Sequence, residues 1–516
     1  MAVEQAVAVE QAVAVEQALE SGMQQLSAED AGFVYLEGPG TPMHVGFLGI
    51  YDPATSPGGS VRFKDILRHV GGRLARAPAF RRRMVRVPLD LDHPHWIEDP
   101  DFNLEYHVRH IALPRPADWR QLCIQVSRLH ARPIDLNRPL WEVTVIEGLD
   151  AVAGFPPGCF ALFAKTHLAA FDADYGDRMI AALHDLAAND CGPEAGPEAG
   201  DDWQPDSRPG ITDLLVSSYF NTLRKPFQFA ETLARSLPGL ARRGAARVRG
   251  KSAAPAVETA PPTPFGGTIG PHRVFDSVAL PLADIRRIAA LVPGSDSDDV
   301  VLTIVGGALL DYLAGHDALP DDTLQALHPL QLQALVVPVG SQIEQPVERL
   351  RFVSRAADRA RTRSAKVETA LPRTGDQGFA ADRAGNAARL QARIAADAAS
   401  AHPFNVVIAD VTDSGDARYL CGARLVTLFN LMPVVEPIGL VHTTFTAGDE
   451  IAISFTADRD KLPDPAAYAA ALRTSFAALQ AAADAAQPTT SATASVPGTA
   501  APHLDVTTRK KEPANG

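Results

Sequence analysis

His167 and Asp172, in the stretch Lys165-Thr166-His167-Leu168-Ala169-Ala170-Phe171-Asp172-Ala173, place an imidazole and a carboxylate close together along the chain. A neutral imidazole titrating near pH 7 can take the proton of a hydroxyl whose oxygen is attacking a carbonyl carbon. Leu168, beside that histidine, can neither accept a proton nor hydrogen-bond one. The preceding residues, Phe160 to Thr166, suit a strand, on which neighbouring side chains point to opposite faces. An imidazole at 167 is therefore expected to face away from whatever position 168 lines.

The elements that must carry this stretch can be read on both sides of it. Val45 to Asp52 suits a second strand, Trp119 to Ala131 has helical periodicity, and Ser27 is a candidate N-cap before Ala28 and Phe33. Helices and strands alternate as far as Ala188, which predicts a layered α/β domain. Further on, Asp298-Asp299-Val300 opens an apolar helix through Leu313, with Asp298 as its expected cap. Strands are expected over Leu335–Val339, Val406–Ile408, Val426–Phe429, Leu440–Phe445 and Ile451–Phe455, and a long helical region over Arg359–Ala399.

A chain of 516 residues exceeds what one core supports, so two domains with tails are expected. Residues 1–25 hold three tandem copies of AVEQAV, the last ending in Leu19, a period matching neither a heptad nor a helical turn, and predict a frayed or disordered tail. The first domain spans 26–190. An acidic loop, a basic amphipathic connector and a linker fill 191–262, a second domain spans 263–485, and 486–516 is a disordered tail. Within the connector, Arg224 to Lys251 interleave cations with Phe and Leu, as in a helix lying on an anionic bilayer or a connecting helix packed on its own domain.

The net charge is −13 and no Lys/Arg run forms a nucleic-acid footprint, so no nucleic-acid partner is expected. Cys123, Cys159, Cys191 and Cys421 lie far apart, which argues against a disulfide framework and a metal site. No apolar run reaches the roughly 18–20 residues of a membrane span, and the first basic residue is Arg62, so no secretory signal is expected. The expected location is cytoplasmic, including peripheral contact with the inner face of the membrane or with lipid droplets.

Six blocks in order carry a resemblance. They are LSAEDAGFVYLEGPGTPMHVG (26–46), HPHWIEDPDFNLEYHVRHIALP (93–114), LHARPIDLNRPLWE (129–142), TPFGGTIGPHR (263–273), DDVVLTIVGGAL (298–309) and FNVVIADV (404–411). Together with the 165–173 stretch, they resemble the bacterial wax ester synthase/acyl-CoA:diacylglycerol acyltransferase family from about Leu26 to Leu479. The resemblance implies an α/β, two-domain CoA-dependent acyltransferase-like fold with an inter-domain tunnel. It also implies transfer of a fatty acyl group from acyl-CoA to diacylglycerol or a long-chain alcohol, with acyl-CoA as substrate and no cofactor.

In that family's His-His-x-x-x-Asp-Gly motif the second histidine is the base, and its place here is Leu168. His167 matches the first, structural histidine and becomes the substitute candidate base; Asp172, Ala173 and Gly176 match the motif's supporting positions. Asp298 stands for the family's Asn, beside Asp299, and Asn405 opens the second-domain block in which Ala409, Asp410, Thr412 and Asp413 depart from the family pattern. The connection after Ser341 is also shorter than the family's. Three functions follow from these observations: an acyltransferase rerouted through His167 or a bound water, a non-catalytic lipid or acyl-CoA binder, and a partner of active family members.

Overall fold

The computed structural model describes residues 24–74, 78–87, 92–170, 183–188, 259–330, 333–365, 403–410 and 417–486. The AVEQAV repeats, Asp172, Ala173, Gly176, the acidic loop, the basic connector, residues 366–399, Thr412, Asp413 and the C-terminal tail lie outside the described residues.

The first half runs β1 (Gln24–Gln25), α1 (Ala28–Leu36), β2 (His44–Asp52), α2 (Phe63–Leu74), β3 (Arg82–Val85), β4 (His95–Glu98), α3 (Leu104–His107), β5 (Val108–Ala112), α4 (Trp119–Ala131), β6 (Trp141–Glu147) and β7 (Phe160–His167). The second runs β8 (Arg273–Pro281), α5 (Leu282–Ala289), α6 (Ser297–Ala314), β9 (Gln325–Leu330), β10 (Gln333–Pro338), α7 (Pro346–Ala365), β11 (Val406–Asp410), β12 (Tyr419–Leu420), β13 (Ala423–Leu431), β14 (Leu440–Ala447), β15 (Glu450–Asp458) and α8 (Pro465–Ala486).

Local chemistry sets the helix starts. Ser27 caps α1, its hydroxyl accepting the Asp30 N–H at 3.0 Å. Asp118 caps α4 through the Gln121 N–H, and Leu122, Cys123, Val126, Ser127 and His130 form that helix's buried face. At α6 the expectation of an Asp298 cap fails. The N-cap is Asp296, because Asp299 three residues on returns a carboxylate to the Asp296 N–H and completes a capping box. Helix α6 also approaches a backbone closely: a Cβ on Gly306 would stand 2.0 Å from the Val339 carbonyl oxygen.

Two six-stranded mixed sheets dominate, with orders β12-β13-β2-β7-β6-β5 and β10-β9-β11-β14-β15-β8. Strand β13 lies in the second half of the chain yet pairs antiparallel with β2 along Gly46–Asp52. The chain thus leaves the second sheet after β11, completes the first sheet, and returns at β14. No periodicity in β13 itself announces that exchange.

Three apolar clusters hold these layers. One lies under α4, among Leu48, Ile50, Val126, Phe163 and Phe429. Another packs α5, α6, α7 and α8 on the second sheet. The third joins the two halves: Val45, Phe47, Ala164 and Leu428 of the first sheet meet Leu327, Val407, Ala409, Val441 and Phe445 of the second. Burying side chains of this size stabilises by about 1.5–3 kcal/mol each. Among the described residues, no helix is long and apolar enough to cross a membrane.

Candidate functional site

Strand β7 ends at His167, and Leu168–Ala170 turn as a short 3-10 segment. Two neighbouring segments hold this end. The His167 N–H donates to Leu140 O at 3.0 Å, and the Leu168 N–H donates to Met43 O at 2.8 Å. His167 is the cross-strand partner of His44 and alternates with Lys165, so these side chains share the sheet face that α4 covers. Leu168 is fully buried within the apolar cluster that joins the two sheets.

The His167 ring is hydrogen-bonded inside the fold through one nitrogen, and the other, buried without a hydrogen-bond partner among the described residues, faces a carboxylate. Nδ1 accepts the Ala169 N–H at 3.0 Å, which leaves the proton of the neutral ring on Nε2. Nε2 lies 3.5 Å from Glu37 Oε2, within ion-pair distance, and the side chain is fully buried. Glu37, at the C-cap of α1, also accepts the Met43 N–H at 3.4 Å. In this arrangement His167 anchors the turn and presents no free lone pair to a reacting hydroxyl.

Beneath it sits a buried polar web that sequence reasoning missed. Lys165 Nζ donates to Leu129 O (3.1 Å) and Arg132 O (2.6 Å), carbonyls at the C-terminal end of α4, and meets Glu142 Oε2 at 3.2 Å. The ammonium therefore caps the negative end of that helix. Burial pulls the Lys165 pKa below its ordinary value against the opposing pull of Glu142. His44 donates Nε2–H to His130 O, with the two rings edge-on at 4.9 Å. Burial, then Lys165 and His130, hold His44 well below its usual range, and burial with Arg273 and Lys165 pushes His130 down to about 3. These imidazoles are neutral at pH 7 and weak as bases. A signal for the ion pair was present: Glu142 belongs to the Pro-Leu-Trp-Glu block and stands opposite Lys165 in the β6–β7 register.

A cavity of about 230 Å³ opens beside the turn, lined by Leu26, Asp30, Arg82, Trp96, Ala169 and Ala170 among others. It mixes apolar walls with a guanidinium and a carboxylate, a lining suited to a ligand that carries both hydrocarbon and oxygen.

The second-domain residues do not converge on this turn. Asp298 lies 3.8 Å from His328 Nε2, while His328 Nδ1–H donates to Ile408 O at 2.7 Å. Burial disfavours the charged His328 ring, yet Asp298, the Ile408 carbonyl and Asp410 outweigh it and raise its pKa. Burial likewise opposes the Asp298 carboxylate, but His328 and Arg361 bring its pKa below the ordinary value. Asp299 is fully buried and meets Arg361 at 3.2 Å; burial, then Asp296, raises its pKa. Asn405 accepts the Gln325 N–H at 2.9 Å and donates to Pro261 O at 2.6 Å, tying β11 to β9 and to the incoming linker. These three hold the second sheet to its surroundings. Among the described residues no group of three or more side chains could hold a metal ion.

The wax ester synthase/diacylglycerol acyltransferase catalytic domain model matches residues 26–301, and the C-terminal domain model of the same family matches 331–480. A putative diacylglycerol O-acyltransferase of Mycobacterium tuberculosis is 28% identical over 461 residues, covering 86% of this chain and 88% of the relative. A probable diacylglycerol O-acyltransferase of that organism, tgs3, is 34% identical over 272 residues, covering 52% of this chain and 95% of the relative. The fold matches the wax ester synthase/diacylglycerol acyltransferase of Marinobacter aquaeolei VT8 with a TM-score of 0.60 at 24% identity, covering 89% of this chain and all of that one. With both domain models matched in order over most of its length, this chain belongs to the wax ester synthase/diacylglycerol acyltransferase family.

Proposed function

We propose that this chain binds acyl-CoA and a diacylglycerol or long-chain alcohol on the family's O-acyltransferase scaffold but lacks the base for efficient transfer. One observation carries the reading: Leu168, at the family's base position, is fully buried in the apolar junction of the two sheets. Its neighbour His167 commits Nδ1 to the Ala169 N–H and turns Nε2 to Glu37, so it is a poor substitute. The chain then keeps the lipid-binding shape with transfer slowed by the ~10²–10⁴ that a positioned base contributes. Peripheral contact with a membrane or lipid-droplet surface accords with such ligands and forms part of the proposal.

The test is transfer of labelled oleate from oleoyl-CoA to dioleoylglycerol by the purified chain and by Leu168→His. The expected result is trace turnover by the unsubstituted chain and a gain of ~10² or more in the variant. Turnover by the unsubstituted chain at the rate of an active family member would overturn the reading.

A further inference from the structure

Asn430 is a buried amide that the fold leaves unused. Its side chain is 1% exposed, and among the described residues neither Oδ1 nor Nδ2 has a hydrogen-bond partner. It lies on β13 opposite Phe47, and Leu428 and Met432, two residues to either side, belong to the apolar cluster joining the sheets. Strand alternation therefore aims the amide at that junction. From the other sheet, Thr443 Oγ1–H donates to the Asn430 backbone carbonyl at 2.9 Å, so the residue stands where the two sheets touch. An amide buried without partners is unfavourable, and leucine, of the same branched shape, would remove the penalty.

A partner for this group must satisfy a donor and an acceptor together. An ester carbonyl offers only acceptors, hydrocarbon offers neither, and a hydroxyl offers a donor and acceptors on one oxygen, so position decides between a hydroxyl and an amide. A trans secondary amide offers one N–H and one C=O on opposite sides of its plane, so one amide answers one half of Asn430, and the two amides of a pantetheine arm can together answer both. The position fits as well. Met43, which holds the Leu168 N–H, and Phe47, which faces Asn430, are separated by about 13 Å of strand β2. The amides of an extended pantetheine arm are likewise set back from the thioester carbonyl that position 168 would serve. We propose that Asn430 is a subsite for a pantetheine amide of the acyl donor, an assignment that rests on the acyl-CoA reading above.

The experiment compares the full chain with Asn430→Leu by thermal unfolding and by calorimetric titration with dodecanoyl-CoA, S-dodecanoylpantetheine and S-ethyl dodecanethioate. Ligand-free Asn430→Leu is expected to melt about 2 °C or more above the unsubstituted chain, since a stranded amide has been removed. It should bind the CoA and pantetheine thioesters about tenfold more weakly and the ethyl thioester, which has no amide, unchanged. A lower melting temperature, as expected if resident water satisfies the amide, overturns the subsite. So does an equal effect on all three ligands, or none on any. Absence of dodecanoyl-CoA binding by the unsubstituted chain overturns the acyl-CoA reading and the subsite with it, whereas unchanged binding by the variant overturns the subsite alone.

Discussion

Replacing Lys165 with methionine keeps most of the side-chain volume and removes the charge beneath the motif turn. All three donors of the ammonium are used, on Leu129 O, Arg132 O and Glu142 Oε2, and the side chains of Lys165 and Glu142 are only 2% and 10% exposed. Screening by water is therefore slight, and the loss is set by the charge left behind. Glu142 would retain Arg109 at 3.8 Å. Breaking one side of such a buried pair costs about 3–5 kcal/mol, to which the two bared helix carbonyls add about 1 kcal/mol or more. Lys165→Met should thus lose about 4–6 kcal/mol. Urea unfolding followed by circular dichroism should show a fall in midpoint of more than about 1 M. Adding Glu142→Gln removes the stranded charge and should recover about half of the loss. A loss below about 1 kcal/mol, or a double variant no more stable than Lys165→Met, would refute the view that this pair anchors the strand bearing His167 and Leu168.

Other predictions follow from the same geometry. Asparagine at 167 can offer its Oδ1 to the Ala169 N–H as Nδ1 does, so adding His167→Asn to Leu168→His should leave the gained turnover within about tenfold; a loss nearer 10⁴ would make His167 the working base. The raised His328 pKa contributes stability that is fully present below about pH 6.5 and is lost as pH rises through the higher folded value. The lowered Asp298 pKa contributes stability present above about pH 3.9 and lost as pH falls through its folded value. Melting temperature should therefore fall from pH 6 to pH 8.5 more steeply in the unsubstituted chain than in Asp298→Asn, and equal slopes would exclude the ion pair. Gly306→Ala would drive a methyl group to 2.0 Å from the Val339 carbonyl oxygen; a loss of about 3 kcal/mol is expected in denaturant, and a neutral result would show that α6 can move off the strand end.

Much of this architecture was legible because local patterns and packing agree. Helix α4 covers the residues whose periodicity called for it, Trp119–Ala131, and Ser27 caps α1 as its type and place suggested. Strands β7, β11, β14 and β15 contain the runs read as strands. The cap of α6 was misplaced because Ser295, Asp296, Ser297, Asp298 and Asp299 are all plausible caps in type. The reciprocal bond from Asp299 selects Asp296, and it exists only once the turn has formed. The partners of His167 and Lys165 were hidden for a different reason. Glu37, Met43, Leu129 and Glu142 come from four separate segments, and only the register of β2, β6 and β7 brings them together. Asn430 carries no local mark at all, since an asparagine among Phe429, Leu431 and Met432 looks like any polar interruption of a strand.

The passage of β13 into the first sheet has a consequence for how the chain is made. Strand β2 borders β7 on one side and β13 on the other. Until Leu431 has left the ribosome, a nascent first half carries β2 with one row of backbone donors and acceptors open. Its residues His44–Tyr51 are all buried in the finished protein. A long, apolar, unpaired edge is the feature that recruits strands from other molecules. Residues 26–190 expressed alone should accordingly aggregate, while supplying 417–486 in trans should rescue them. The two halves share a sheet and are inseparable in their biogenesis.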